Sequence, residues 1–241
     1  MVTFYNKTII KTVFSGLLLA CFSLPAAPSL RSFSYDAASV LPVYKDAQGQ
    51  IWVLLAREAF GADKGTYDDF GGSRDANEAH PLVTATRELF EEINAETTLG
   101  MSLSQVRNYI DLPMGNTTNI IAYEKTFGRP TSMVTYITEF NPALIANVHR
   151  TFYRSVAQQT QFCYREKDKL AVIRLKDLAR WIKSTPDVNN TKVLAHVHVK
   201  GGGVVQKPIH LRPIFVRKLQ QFFRNDSYVP GKDPRIRFYK E

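Results

Sequence analysis

Three glutamates with the spacing of a single helix face form the most chemically informative cluster in the sequence. Glu88, Glu91 and Glu92 follow the order i, i+3, i+4, so a helix would gather their carboxylates around one small volume. Their mutual repulsion favours a cation among them, and hard carboxylate oxygens suit Mg²⁺ or Mn²⁺. The alternative is a solvated helix face. However, no lysine follows any of the three at i+4, as it would on a face built for solubility, so the spacing favours a divalent-metal site.

Two further features of this segment would position such a site. Gly71-Gly72 lies upstream and lets the backbone turn tightly and approach a ligand, so the carbonyl oxygen of Gly72 is a candidate metal ligand. Arg87 precedes the glutamates and could form a bidentate pair with Glu78 or Glu91, which would fix the loop and orient a ligand. We therefore place Arg87 among the candidate substrate-binding residues, together with Arg57.

In this order the residues resemble the Nudix box, in which a glycine and a glutamate precede an Arg-Glu-aliphatic-any-Glu-Glu helix. The matching positions are Gly72, Glu78, Arg87, Glu88, Leu89, Glu91 and Glu92. The sequence departs from the family pattern in two ways: one extra residue separates Glu78 from Arg87, and Asn94-Ala95 replaces the usual Gly-aliphatic pair. Pro81 suits the first turn of a helix, which predicts that the extra residue lies in the preceding loop. Asn94 is predicted to adopt the left-handed conformation at the helix end.

The resemblance implies a pyrophosphohydrolase that cleaves a nucleoside diphosphate derivative by attack of water on phosphorus. It implies Mg²⁺ or Mn²⁺ held by Gly72, Glu88, Glu91 and Glu92. Family members place the general base in the box or on a later loop, so Glu88 and Glu166 are the candidates, with Asp168 and Glu139 as weaker ones. The other interpretation of Glu166 is a surface charge in the run of residues 165–169.

The substrate is less well indicated. Pro113, a short distance past the box, is suggestive of the ADP-ribose type of Nudix enzyme. Inositol pyrophosphates, dinucleoside polyphosphates and an RNA 5′ end also suit the basic charge balance. A different class of function is a non-catalytic Nudix-fold module that binds a nucleotide or a partner. Loss of box glutamates would mark such a module, and none is lost.

The charge and the N-terminus bear on partners and location. A net charge of +9 favours polyanionic partners, which include phosphorylated small molecules. Nucleic acid has no supporting motif, and the oligomeric state is open. Residues 1–28 carry Lys7 and Lys11 before a short apolar run, which favours a signal peptide or N-terminal anchor and a secreted, periplasmic or membrane-attached protein. The alternative is a cytoplasmic protein in which this segment packs on the domain. Membrane contact is expected only through residues 1–28.

The order of the predicted elements indicates one α/β domain, a Nudix-like α/β/α sandwich with a mixed β-sheet, over residues 38–225. A linker of residues 29–37 precedes it and a loosely held basic tail of residues 226–241 follows. Strands are predicted at residues 39–44, 51–57, 109–112, 119–123, 133–140, 170–175, 193–199 and 204–205, and helices at residues 142–159, 176–184 and 211–223.

Two groups of residues outside the box have competing interpretations. The stretch from His149 to Arg154 is basic and aromatic and could face a substrate phosphate, but the rim helix of a basic protein has the same composition, and we favour the latter. His196, His198 and His210 are expected to be ordinary histidines, because the sequence offers no cysteine or H-E-x-x-H spacing beside them.

Overall fold

The computed structural model describes residues 34–111, 116–125, 131–161, 163–224 and 236–240. The predicted signal segment, residues 1–28, and Pro113 lie outside these ranges. Of the helices in the described ranges, none has the length and apolar character needed to cross a bilayer.

The described residues form ten strands and six α-helices. The strands are β1 Ala37–Lys45, β2 Ile51–Glu58, β3 Tyr67–Asp68, β4 Phe70–Ser73, β5 Thr117–Lys125, β6 Thr131–Glu139, β7 Lys167–Arg174, β8 Lys192–His198, β9 Val204–His210 and β10 Ile236–Lys240. The helices are α1 Pro81–Glu92, α2 Ala95–Thr98, α3 Leu103–Ile110, α4 Pro142–Gln158, α5 Leu175–Ser184 and α6 Pro213–Arg224.

The strands form one mixed sheet in the order β10-β5-β6-β1-β2-β7-β8-β9. β1 runs parallel to β6, and β10 runs parallel to β5, while the other adjacent pairs are antiparallel. β1 and β2 pair directly only between residues 43–45 and residues 51–53. Where they diverge, β4 pairs with β1 and β3 pairs with β2. The short β3–β4 segment therefore fills a split in the middle of the sheet.

Successive strand residues face opposite sides of the sheet, which gives two separate cores. Val40 and Leu54 belong to a core that is covered by α1, α3 and α4. Their neighbours Leu41 and Leu55 belong to a second core that is covered by α5 and α6. The predicted α/β/α sandwich with a mixed sheet is confirmed.

The prediction of a strand at residues 109–112 was wrong, because residues 103–110 form α3. Ser102 caps this helix with Gln105 in a reciprocal capping box, a local signal that outweighs the β-propensity of Tyr109 and Ile110. Val106 and Ile110, four residues apart, are the buried residues of the helix. The C-terminal tail also differs from the expected loose arm: residues 236–240 form the edge strand β10.

Candidate active site

Both ends of α1 follow the predicted geometry. Pro81 is the first helical residue, and His80 caps the helix by accepting a hydrogen bond from the Leu82 N–H at its Nδ1, at 3.1 Å. The extra residue between Glu78 and Arg87 therefore lies in the loop before the helix or at its start, and the register from Arg87 to Glu92 is undisturbed. Asn94 follows the helix with φ 54° and ψ 61°, the left-handed conformation that the missing glycine would have supplied.

The glycine pair lies on β4 and lets this strand approach both β1 and α1. A Cβ at Gly71 would collide with Ser39 on β1, and a Cβ at Gly72 would collide with the carboxylate of Glu88. The side chain of Glu88 therefore lies directly against the backbone of Gly72. This close approach explains why glycine is needed at the position predicted to offer a carbonyl ligand.

Three carboxylates meet beside this glycine. Each of Glu88, Glu92 and Glu166 offers an oxygen, and these oxygens all lie within 4.8 Å of one another. Glu92 is only 2% exposed, and its Oε2 is buried without a hydrogen-bond partner among the described residues. An orphaned buried carboxylate oxygen in a cluster of acids is what a hard divalent cation would satisfy. The donor set thus fits Mg²⁺ or Mn²⁺.

The observed trio differs from the three glutamates predicted to share one helix face, because Glu166 takes the place of Glu91. Glu166 joins the closest trio from outside the box, just before β7, so it is not merely a surface charge. Glu91 lines the same cavity of about 530 Å³, but it lies outside the trio and its Oε2 is 3.4 Å from Nη1 of Arg87.

Arg87 holds the cluster in place. Its Nε donates to Oε1 of Glu78 at 2.8 Å and its Nη1 donates to Oε1 of Glu88 at 2.8 Å. Its Nη2 donates to the carbonyl oxygen of Ser73 at 3.0 Å. The predicted pairing with Glu78 is therefore present despite the extra residue. Because one guanidinium binds the loop, β4 and α1 together, Arg87 fixes the orientation of Glu88.

Lys167 is a part of the site that the sequence did not reveal. Its side chain is fully buried, with Nζ 2.5 Å from Oε1 of Glu58 and 3.2 Å from Oε1 of Glu92. A shift of the β2–β7 register between Arg57 and Glu58 places Glu58 opposite Lys167. Burial opposes the charge on Lys167, but the carboxylates of Glu92 and Glu58 outweigh it and raise its pKa. The ammonium ion is therefore a fixed counter-charge on the side of Glu92 that faces the sheet.

Burial makes the carboxylates hold protons more tightly than they would in water. It raises the pKa of Glu88 to about 7, although Arg87 acts in the opposite direction. Burial likewise raises the pKa of Glu166. A divalent cation would favour the ionised forms and displace these protons, so binding of the ion would depend on pH.

The remaining site predictions fall outside this cluster. Arg57 forms a bidentate pair with Asp168, with distances of 2.7 and 2.5 Å, and neither residue is among the described residues that line the cavity. Glu139 lies on the surface, 3.3 Å from Nζ of Lys45. The structure therefore favours Glu88 and Glu166 over Asp168 and Glu139 as the candidate base.

No protein-family model matches the sequence, and no curated protein matches it. Among solved structures, a Nudix hydrolase from M. smegmatis, RenU, is 14% identical over 79% of this chain and 84% of its own, with a TM-score of 0.36. A MutT/nudix family protein from Enterococcus faecalis is 12% identical over 83% of this chain and 65% of its own, just under two thirds, with a TM-score of 0.41. A NUDIX hydrolase from Nitrosomonas europaea is 11% identical over 87% and 81%, with a TM-score of 0.40. Likenesses at this level carry no functional argument, so function must be inferred from the residues of the site.

Proposed function

We propose that this chain is a Nudix-type hydrolase that uses Mg²⁺ or Mn²⁺ to cleave the pyrophosphate bond of a nucleoside diphosphate derivative. The observation that carries the proposal is the convergence of Glu88, Glu92 and Glu166 within 4.8 Å, beside the glycine that the box pattern requires. The orphaned Oε2 of Glu92 supports it independently. The convergence does not follow from the sequence pattern alone, because Glu166 lies far from the box along the chain.

The residues that would hold the ion are Glu88 and Glu92, with the Gly72 carbonyl beside them, and Glu166 lies within 4.8 Å of both in the position of a base. A bound divalent ion supplies charge neutralisation of the diphosphate and acidifies a water molecule. Glu91 lines the same cavity outside the trio and pairs with Arg87. Without a cation, the acidic cavity would repel a diphosphate, so substrate binding requires the ion.

The protein side chains have separable tasks. Arg87 keeps Glu88 and the Glu78 loop in register. Lys167 binds Oε1 of Glu92, which leaves Oε2 available to the ion. Glu166 is the proposed general base, because no described side chain donates a hydrogen bond to its carboxylate, whereas Glu88 Oε1 is held by Arg87.

The acidic site supports a phosphate-anhydride substrate and does not indicate its leaving group. ADP-ribose is the preferred candidate, and this preference rests on Pro113. Inositol pyrophosphates, dinucleoside polyphosphates and capped or triphosphorylated RNA 5′ ends are the other anhydrides to be compared. An additional non-phosphate moiety has room in a second cavity of about 410 Å³ that shares Gly71, Gly72 and Ser73 with the first.

The test is product release from a panel of these anhydrides with Mg²⁺ and Mn²⁺, comparing wild type with Glu92→Gln. We expect wild-type turnover of at least one substrate and a loss of about a hundredfold or more in the variant, as for removal of a group that stabilises transition-state charge. Glu96→Gln, an exposed glutamate just beyond the same helix, is the matched control and should retain activity. Equal, near-zero activity of wild type and Glu92→Gln with retained nucleotide binding would instead identify a binding module.

A further inference from the structure

A second groove has the opposite electrostatic character to the acidic cavity. It lies between α4 and the β8–β9 turn and has a volume of about 840 Å³, within the usual range for small-molecule sites. Arg150 and Arg154 line it from α4, and Lys200 lines it from the turn. No described residue lines both this groove and the acidic cavity, so the two are separate sites.

The cations of the groove have no acidic partners of their own. Arg150 and Arg154 are exposed residues four apart on α4, so their like charges lie on one helix face and repel each other. The described contact of Arg150 is with a neutral amide, Oδ1 of Asn147, at 2.5 Å. None of Arg150, Arg154 and Lys200 forms an ion pair with a carboxylate in the described parts of the chain, and no acidic residue lines the groove there. A concave surface with three uncompensated cations attracts an anion.

The floor of the groove is built from rings and not from further charges. His149 and His198 stack with ring centroids 3.6 Å apart, and the hydroxyl of Tyr153 donates to the carbonyl oxygen of His198. Burial, followed by the neighbouring His198, lowers the pKa of His149 to about 3, so its ring is neutral at physiological pH. Its Nε2 is buried without a hydrogen-bond partner within the described ranges. The stacked rings tie α4 to the end of β8, two residues before Lys200 in the turn.

From this arrangement we infer that the groove is a second, metal-independent site for a soluble oligophosphate anion. Guanidinium groups bind phosphate oxygens in a bidentate manner, and a lysine ammonium adds a third charge. The acidic cavity differs in requiring a divalent cation before it can accept a phosphate. The dependence on metal therefore distinguishes binding in the groove from binding in the cavity.

The experiment measures binding of inorganic tripolyphosphate by calorimetry in EDTA and about 150 mM salt, where surface charges are screened beyond about 8 Å. We expect wild type and Glu92→Gln to bind equally. The double variant Arg150→Gln/Arg154→Gln should bind about tenfold more weakly or worse, because two charge-assisted contacts are removed. Both arginines are exposed, so the variant should fold normally, and a thermal melt checks this.

The matched control is Lys176→Gln/Arg180→Gln. These two residues are also exposed and four apart on a helix, α5, so the control removes the same charge with the same spacing. It should leave tripolyphosphate binding unchanged. The inference is overturned if wild type does not bind in EDTA, if the α4 variant binds as wild type does, or if the α5 control loses as much affinity. A change of affinity in Glu92→Gln, in either direction, would show that the anion senses the acidic cavity and would also overturn the inference.

Discussion

Lys167→Met is the perturbation that best separates this structure from the sequence pattern, because Lys167 looks like one charge in a surface run. In the structure its ammonium lies 2.5 Å from Glu58 and 3.2 Å from Glu92 with no exposed surface. Removing one partner of a buried ion pair typically costs about 3–5 kcal/mol, since it leaves an uncompensated charge. Glu58 retains a weaker partner in Arg212 at 3.7 Å, so the loss falls mainly on Glu92.

The measurement is the free energy of unfolding of metal-free protein by urea at pH 8, for wild type, Lys167→Met, Glu92→Gln and the double variant. We expect Lys167→Met to lose about 3–5 kcal/mol, and the double variant to recover part of it, with a coupling energy of about 1–3 kcal/mol. The loss should shrink towards pH 5, because protonation of Glu92, whose pKa burial raises, removes the charge left behind. Mn²⁺ should raise the melting temperature of Lys167→Met more than that of wild type.

The matched control is Lys169→Met, two residues along the same strand and partly exposed, which should change stability by about 0.5 kcal/mol or less. A Lys167→Met protein as stable as this control would show that the ammonium ion is not enclosed by carboxylates. The absence of coupling to Glu92 would refute the pairing even if the protein were destabilised, since loss of packing alone does not depend on that residue.

Two further predictions address the remaining parts of the site. Glu88→Gln should flatten the pH dependence of metal-free stability. Because burial raises the pKa of Glu88, its contribution to stability is full below the unfolded value of 4.5 and is lost as pH rises through about 7, an effect of about 3 kcal/mol. If the free energy of unfolding in urea changes with pH between 4.5 and 8 as it does in wild type, the burial of this group is contradicted. Gly72→Ala should weaken Mn²⁺ binding measured by calorimetry, because the new Cβ displaces the Glu88 carboxylate, while Gly203→Ala, whose Cβ would meet only a Val199 side chain, should bind Mn²⁺ as wild type does.

Much of the fold could be predicted because short-range signals agree with the final arrangement. The alternation in β1 and β2 places Val40 and Leu54 on one face and their neighbours on the other, as the two cores require. Pro81 and Asn94 mark the helix ends by their own backbone preferences. The prediction at residues 109–112 was wrong because the apolar residues Val106 and Ile110 were not considered together with the Ser102 cap. A helix that is only two turns long gives little periodicity to detect.

Within the site, the predictable residues are those whose geometry is set by one element, and the missed ones depend on how elements meet. Glu88 and Glu92 share a helix, so their proximity follows from spacing. Glu166 and Lys167 are neighbours in sequence, yet one joins the acids and the other neutralises them, because β7 begins between them and alternate residues diverge. The pairing of buried Lys167 with Glu58 depends on the register shift between Arg57 and Glu58. No local sequence pattern predicts that shift. A run of charged residues at the start of a buried strand should therefore be considered as a possible part of the interior. The first strand residue can place its charge in the core when a buried carboxylate lies opposite it.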